Sequence, residues 1–149
     1  MRVDAKLSNV LHVLLHMAEA EGPMTSEQMA RAMQSNPVVA RRVMAGLRQA
    51  RIVRSEKGHG GGWSLIRRLD QISLAEVYAA LGAPRLLAIG HRSETPKCLV
   101  EQAVNAALDE AFQEAEARLL GHMERVTLAA LRDDFHERLS DCKGTLPGA

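Results

Sequence analysis

Two helix starts lie close together between residues 25 and 37, and this spacing limits the possible folds more than any other feature. Thr25 is a favoured N-cap residue, and Gln28 stands three positions later, where a capping box has its partner. Asn36 is a second N-cap, and Pro37 suits the first helical position, where no backbone N–H is needed. A short helix, a tight turn and a second helix are therefore predicted, which is the order of a helix-turn-helix.

A β-hairpin is predicted directly after the second helix. Ile52 and Val53 are β-branched, and Trp63 and Leu65 resume an extended pattern after the glycine-rich stretch 57–62. Glycines suit a hairpin tip that needs positive φ angles and a close backbone approach to a phosphate or a groove floor. Trp63 begins the return strand, so we expect it to anchor the hairpin in the domain core. The element order predicts a mainly α fold with a small β-hairpin, the winged helix-turn-helix.

The glycine-rich stretch also contains a motif found in enzymes. The sequence HGGG at residues 59–62 matches the oxyanion motif of lipases and esterases. Those enzymes also need a Gly-x-Ser-x-Gly elbow on a large α/β sheet, and no serine here lies between two glycines at that spacing. Because two candidate strands cannot build such a sheet, we expect no enzymatic activity.

The charge of the chain is concentrated in this part of the sequence. Residues 31–68 contain nine arginines and lysines but only one acidic residue, whereas the segments before and after them are net acidic. A solvated charged face is the simple explanation of such a run. Because the basic segment coincides with the predicted helix-turn-helix and hairpin, we favour a surface that binds a polyanion, namely double-stranded DNA.

Four further helices are predicted outside this segment. Apolar residues at helical spacing indicate a helix over 4–20, and a capped helix is expected over 72–81. A long helical run extends from about 96 to 123, with Gly121 as a candidate end. Thr127 is expected to cap a last helix.

The long helical run suggests how the chain is organised. Globular helices average about 11–12 residues, and a longer helix late in a small chain commonly packs against a symmetry mate. A long helix within one domain is the alternative. We therefore expect a winged helix-turn-helix domain over 1–82, a linker and dimerisation helices over 83–143, and a disordered tail over 144–149, with a homodimer as the active form.

The composition indicates a cytoplasmic protein. No apolar run approaches the length of a membrane span. The N-terminus lacks a signal-peptide pattern, because Asp4 and Lys6 come early and His12 and His16 interrupt the apolar stretch. The two cysteines, Cys98 and Cys142, are far apart in sequence and do not form a secreted disulfide framework.

Four segments of the chain, taken in order, resemble the Rrf-two family of bacterial winged-helix regulators, which includes the iron–sulfur cluster regulator. The likeness covers about 130 residues. Its most specific part is KGHGGGWSL, which is similar to the R-G-x-x-G-G-Y-x-L wing of the family, although Lys57 replaces arginine and Trp63 replaces tyrosine. The resemblance implies a homodimeric, sequence-specific DNA-binding regulator that acts as a repressor on a palindromic operator. The matching segments are VLHVLLHMA, NPVVARRVMAGLRQARIV, KGHGGGWSL and ISLAEVYAAL.

A DNA-binding site can be assigned from the two helix starts and the wing. The first turns of the second helix of a helix-turn-helix face base edges in the major groove, and the wing reaches the minor groove. Valine side chains can touch thymine methyl groups, and arginine can bond guanine or phosphate. The candidate DNA-binding residues are Thr25, Ser26, Asn36, Pro37, Val38, Val39, Arg41, Arg42, Lys57, Gly58, His59 and Gly60.

The cysteines distinguish branches within the family. The resemblance implies that cluster-binding members carry three cysteines at short intervals, and only Cys98 stands in that region here. We expect no cofactor and no metal site, and we expect His91 and His122 to be exposed to solvent. Cys98 follows Lys97 at a helix start, which favours the thiolate and makes it a candidate redox switch. A small buried apolar residue is the alternative for Cys98.

Two other functions are compatible with a winged helix. One is a protein-interaction module that does not bind DNA, and the other is an iron–sulfur redox sensor. The basic segment argues against the first, and the missing cysteines argue against the second.

Overall fold

The computed structural model describes residues 4–87, 89–91 and 95–144. Most of the chain is helical, and one two-stranded antiparallel sheet follows the third helix. The elements are α1 (Lys6–Glu19), α2 (Ser26–Ala32), α3 (Pro37–Gln49), β1 (Val53–Glu56), β2 (Gly62–Leu65), a 3-10 turn (Leu69–Gln71), α4 (Leu74–Ala80), α5 (Leu99–Arg125) and α6 (Leu128–Gly144).

The predicted starts of α2 and α3 are confirmed. Thr25 and Gln28 form the capping box, with the Gln28 amide donating to Thr25 Oγ1 over 3.2 Å and the Thr25 amide donating to Gln28 Oε1 over 2.8 Å. Asn36 Oδ1 accepts from the amide of Val39 over 3.0 Å, and Pro37 is the first residue of α3. These caps satisfy amides that the helices themselves leave without partners.

Trp63 anchors the hairpin to the start of α2, as expected. Its amide donates to the carbonyl of Met24 over 2.8 Å, and its own carbonyl accepts from the Met24 amide over 2.9 Å. The indole Nε1 donates to Ser26 Oγ over 3.4 Å. The wing is therefore held against the helix-turn-helix on the side opposite to its tip.

The core is built mainly from aliphatic side chains and methionines of the helices. Leu14, Met29, Met44 and Leu47 are fully buried, and Ile52 closes the core beside the hairpin. Leu128 of α6 is also fully buried in the same core. The last helix, which the sequence groups with the dimerisation region, therefore packs on the winged domain.

A short backbone bridge fixes the entry of α6 into this core. The amide of Leu74 donates to the carbonyl of Val126, and the amide of Leu128 donates to the carbonyl of Ile72, each over 2.9 Å. Thr127 caps α6 as predicted, since its Oγ1 accepts from the amide of Ala130 over 3.2 Å.

The long helix α5 differs from its predicted bounds at both ends. It begins at Leu99, so that Cys98 is the N-cap residue, and it passes through Gly121 to Arg125. Gly121 as the end of the helix was thus wrong, because one glycine costs about 1 kcal/mol, which the surrounding helix outweighs. At 1.5 Å per residue, a helix of 27 residues is about 40 Å long. Met123 is its one buried residue among those described.

The predicted tail begins inside α6. Gly144 is the last residue of that helix, and residues 145–149 lie outside the described part of the chain. None of the helices in the described ranges combines the length and the apolar character needed to cross a membrane.

Candidate nucleic-acid interface

The buried and exposed faces of α3 divide its residues into two groups. Ala40, Val43, Met44 and Leu47 are buried against the core. The opposite face carries the predicted site residues: Val38 is 65% exposed, Arg41 and Arg42 are exposed, and Val39 is half-buried at the edge. An apolar side chain as exposed as Val38, beside two arginines, has no packing role within this chain.

Close packing on α4 sets the position of α3. A Cβ placed on Gly46 would lie 2.5 Å from the carbonyl oxygen of Ala80, the last residue of α4. Only a residue without a side chain allows the two helices to approach so closely. The close contact with α4 on one side of α3 therefore fixes the orientation of the exposed face on its other side.

Ion pairs divide the basic segment into a neutralised part and a free part. Arg54 pairs with Glu56 over 3.0 Å, and Arg68 pairs with Asp70 over 2.6 Å. The Arg68 guanidinium holds the pKa of the Asp70 carboxyl below its usual value, chiefly through this hydrogen bond. Arg67 also belongs to the neutralised part, because its guanidinium donates to Glu76 over 2.8 Å.

The free part includes residues of α3 and the wing, and also Arg31 of α2 and Arg51 after α3. Within the described residues, Arg41, Arg42 and Lys57 form no ion pair, and all three are exposed. A charge count from the sequence treats every cation of residues 31–68 alike. In the structure, ion pairs neutralise some of these cations, and positive charge remains uncompensated on α3 and at the wing. Uncompensated positive charge on a surface attracts polyanions.

The tip of the wing is open. Gly58 and Gly60 adopt φ angles of 95° and 74°, which L side chains rarely adopt, and no atom of another described residue beyond the chain neighbours lies within 4 Å of a Cβ built on either glycine. Lys57 and His59, which flank Gly58, are exposed. The tip thus exposes a cation and an imidazole, and its backbone adopts positive φ angles that glycine allows.

The other two wing glycines serve the protein itself. A Cβ on Gly61 would lie 2.4 Å from the carbonyl oxygen of Glu56, and one on Gly62 would lie 2.5 Å from that of Met24. From the sequence, the wing glycines were expected to let the backbone approach a phosphate or a groove floor. At these two positions, the backbone instead approaches carbonyl groups of the same chain. Gly62 lies where the hairpin pairs with the segment before α2.

Three candidate site residues use their side chains inside the protein. Thr25 and Asn36 accept the capping hydrogen bonds of α2 and α3, and Ser26 Oγ accepts from Trp63 Nε1. With Pro37, they define where the two helices begin. The sequence recognised the caps but could not show the contact between Ser26 and Trp63, which are distant along the chain.

Cys98 lies at the start of α5 beside a shallow cavity of about 470 Å³. Its side chain is exposed, so the alternative prediction, a small buried apolar residue, is wrong for the single chain. Cys98 makes no hydrogen bond that caps the helix, yet the backbone amides of Glu101 and Val100 hold the pKa of its thiol below the ordinary value. The helix start therefore favours the thiolate, as the sequence predicted.

His91, on the same cavity, is not the solvent-exposed residue that was expected. Its side chain is only 19% exposed, its Nε2 lies 2.6 Å from Asp109 Oδ1, and its ring packs 6.3 Å from that of Phe112. Contacts with a helix 18 positions later carry no local sequence signal. His122 is exposed, as expected.

Comparisons with known proteins find one family model and relatives that are transcriptional regulators. The Rrf2 family model, "Iron-dependent Transcriptional regulator", matches residues 3–134. A relative from Bacillus subtilis (strain 168), "Putative HTH-type transcriptional regulator YwnA", is 33% identical over 114 residues, which cover 76% of this chain and 84% of the relative.

Solved structures show the same likeness. The crystal structure of "a putative DNA binding protein" is 30% identical and has a TM-score of 0.67, covering 85% of this chain and 97% of its own. The structure of T. potens IscR is 18% identical and has a TM-score of 0.61, covering 100% of this chain and 94% of its own. At that identity, the second likeness shows the fold alone.

The donor set at Cys98 does not fit an iron–sulfur cluster. A cluster is held by several thiolates, with histidine as an occasional substitute. In the described ranges, no group of three or more His, Cys, Asp or Glu side chains is arranged to hold a metal ion. Cys142, the second thiol of the chain, lies near the end of α6 and not on the Cys98 cavity.

Proposed function

This chain belongs to the Rrf2 family and is a transcriptional regulator rather than an enzyme, and we propose that it represses transcription as a homodimer bound to a palindromic DNA operator. One observation carries the proposal more than any other. Among the residues that the structure describes, the cations of the basic segment without ion pairs include Arg41 and Arg42 on α3 and Lys57 on the wing. Uncompensated charge on a projecting helix and wing suits the phosphate-lined grooves of DNA.

The exposed face of α3 is the proposed reader of the major groove. Val38, in the first turn, is exposed enough to touch a thymine methyl group, and Val39 lies at the edge of the same face. Arg41 and Arg42 follow within the next turn and can donate to guanine or to phosphate. Pro37 and the Asn36 cap make the start of this helix rigid, so the position of these side chains is defined before binding.

The wing tip is the proposed contact to the minor groove. A narrow minor groove concentrates negative potential and attracts cations. Lys57 supplies a cation, His59 supplies a hydrogen-bonding ring, and Gly58 and Gly60 allow the backbone to turn between them. Thr25 and Ser26 support this surface indirectly, because they hold the start of α2 and the anchoring tryptophan in place.

The exposed apolar residues of α5 support a dimer. Leu99, Val100 and Val104 are 79%, 72% and 51% exposed, although each lies on a helix whose apolar side chains recur every three or four residues. A second copy of the chain that covers α5 would bury this surface and relate two α3 helices by a two-fold axis. Such a dimer reads half-sites about one helical turn of DNA apart, or a multiple of it.

The test compares matched arginines on DNA. The affinity of the protein for its own upstream region and for random DNA is measured at two salt concentrations. Arg41→Ala or Arg42→Ala is expected to cost about 1–3 kcal/mol and to relax sequence preference where the side chain reads a base. Arg68→Ala, which removes an exposed but paired arginine, serves as the control and should change binding little.

Lys57→Ala separates the wing from the recognition helix. A lysine that contacts phosphate contributes to all sequences alike, so its removal should weaken binding uniformly and reduce the salt dependence. Equal affinity of the wild-type protein for both DNAs, unchanged by the α3 substitutions, would contradict the proposal and favour a protein-binding module.

Cys98 supports a redox role that operates on the same dimer. The thiol is exposed, its pKa is lowered by the amides of Glu101 and Val100, and it lies beside the exposed apolar residues of α5. Oxidation at this position changes the surface next to the proposed dimer contact and can alter the spacing of the two recognition helices. A response of DNA binding to peroxide that disappears in Cys98→Ser tests this role.

A further inference from the structure

Two histidines on α1 lie one helical turn apart with their ring nitrogens in contact. His12 Nε2 and His16 Nε2 are 2.8 Å apart, and the ring centroids are separated by 4.5 Å. Both side chains are exposed, while Val13 and Leu14 between them are buried in the core. The backbone of α1 that carries the pair is therefore held firmly from its other side.

The two imidazole rings share one proton at this distance. Lone pairs on two Nε2 atoms repel each other, so the Nε2–H of one ring donates to the Nε2 of the other. A metal ion can take the place of this proton. Zinc–imidazole bonds of about 2.0–2.1 Å at the tetrahedral angle place two nitrogens about 3.3–3.4 Å apart. The observed 2.8 Å is a hydrogen-bond separation, so a metal ion that replaces the shared proton moves the rings apart by about 0.5 Å. Both side chains are exposed and can make this adjustment, and a hydrogen bond between two exposed neutral groups contributes only about 1 kcal/mol in water.

The spacing along the chain is also that of a metal-binding helix. Histidines four positions apart lie on one face of a helix, which is the arrangement that zinc-binding helices use. His12 and His16 have this spacing. We propose that His12 and His16 form a binding site for a borderline divalent transition metal, such as Ni²⁺, Zn²⁺ or Cu²⁺, coordinated through the two Nε2 atoms.

The surroundings determine the strength of this site. His12 and His16 border a cavity of about 270 Å³ between α1 and α6, which Leu15 and Phe135 line with apolar surface. Glu19 lies on the same cavity but accepts from His136 over 3.0 Å, which leaves the two imidazoles as the ligands of the site. Arg132 on the cavity wall is neutralised by Asp133 over 3.0 Å. Water completes the coordination, and the affinity follows the order in which Cu²⁺ exceeds Ni²⁺ and Zn²⁺.

Isothermal titration of the full chain with Ni²⁺ tests the site. The wild-type protein is expected to bind one Ni²⁺ more per chain than His12→Gln or His16→Gln, or to bind it at least about tenfold more tightly. His122→Gln removes an exposed histidine of α5 and should titrate like the wild type. Mg²⁺, which prefers oxygen ligands, should give no binding at this site.

Two further readouts keep the result independent of folding and of the thiols. Electron paramagnetic resonance of the Cu²⁺-loaded wild-type protein should show coupling to two nitrogens, and the coupling should be reduced in His16→Gln. Ni²⁺ should also raise the unfolding temperature of the wild-type protein and not that of the variant, because an ion that binds only the folded helix stabilises it. Equal Ni²⁺ binding by the wild-type protein and both variants would overturn the proposal and leave a hydrogen bond between the rings.

Discussion

The contact between Gly46 and Ala80 makes a quantitative prediction about the placement of α3. A Cβ at position 46 would lie 2.5 Å from the Ala80 carbonyl oxygen, whereas ordinary contact begins at 3.4 Å. Gly46→Ala therefore forces α3 and α4 about 1 Å apart, which forfeits part of the packing between them. The obstacle is backbone rather than the end of a flexible side chain, so it cannot move aside by changing rotamer.

Two effects of opposite sign determine the size of the change. Alanine in place of glycine within a helix contributes about 1 kcal/mol of stability. Overpacking of a closely packed contact costs about 1–3 kcal/mol, and a backbone obstacle places this contact at the upper end of that range. The expected net effect of Gly46→Ala is a loss of about 1–2 kcal/mol in the free energy of unfolding.

Gly121 provides the matched control for this prediction. It lies inside α5, and a Cβ there would meet only Arg125 Nη1 at 3.8 Å, which is ordinary contact. Gly121→Ala should therefore stabilise the protein by about 0.5–1 kcal/mol. Urea unfolding of both variants, at one protein concentration because a dimer makes stability concentration-dependent, measures the difference. If Gly46→Ala stabilises the protein as much as Gly121→Ala, the reasoning about close packing is wrong.

Three other predictions concern the core, the thiol and the iron content. Leu128→Ala should lower the free energy of unfolding by about 2–5 kcal/mol in urea unfolding, because it leaves a cavity in the winged-domain core, and a loss below about 1 kcal/mol would show that α6 is not part of that core. In a Cys142→Ser background, alkylation of Cys98 by iodoacetamide should reach half its maximal rate at a lower pH than alkylation of an ordinary thiol. The reason is that the amides of Glu101 and Val100 lower the pKa of the Cys98 thiol. A pH profile like that of an ordinary thiol would contradict this prediction. Anaerobically purified protein should contain no stoichiometric iron and acid-labile sulfide, whereas a brown protein that contains both would refute the expectation that this chain holds no iron–sulfur cluster.

The sequence alone determined the local elements of the DNA-binding surface. Caps act over three residues, so Thr25 and Asn36 located the starts of α2 and α3 without any tertiary information. The glycine-rich stretch located the hairpin tip for the same reason, since positive φ angles at Gly58 and Gly60 are a local requirement. The family resemblance rested on these same segments, and the comparisons confirmed it.

Only the tertiary structure decided which charged and polar groups are available. Arg68 and Arg42 are equal in a count of charge, but Asp70 neutralises one and nothing in the described ranges neutralises the other. His91 was expected in solvent and instead contacts Asp109, and His12 and His16 served in the sequence only as interruptions of an apolar stretch. The distance between two side chains, and the burial around them, depend on how distant elements pack, and no local pattern records that packing.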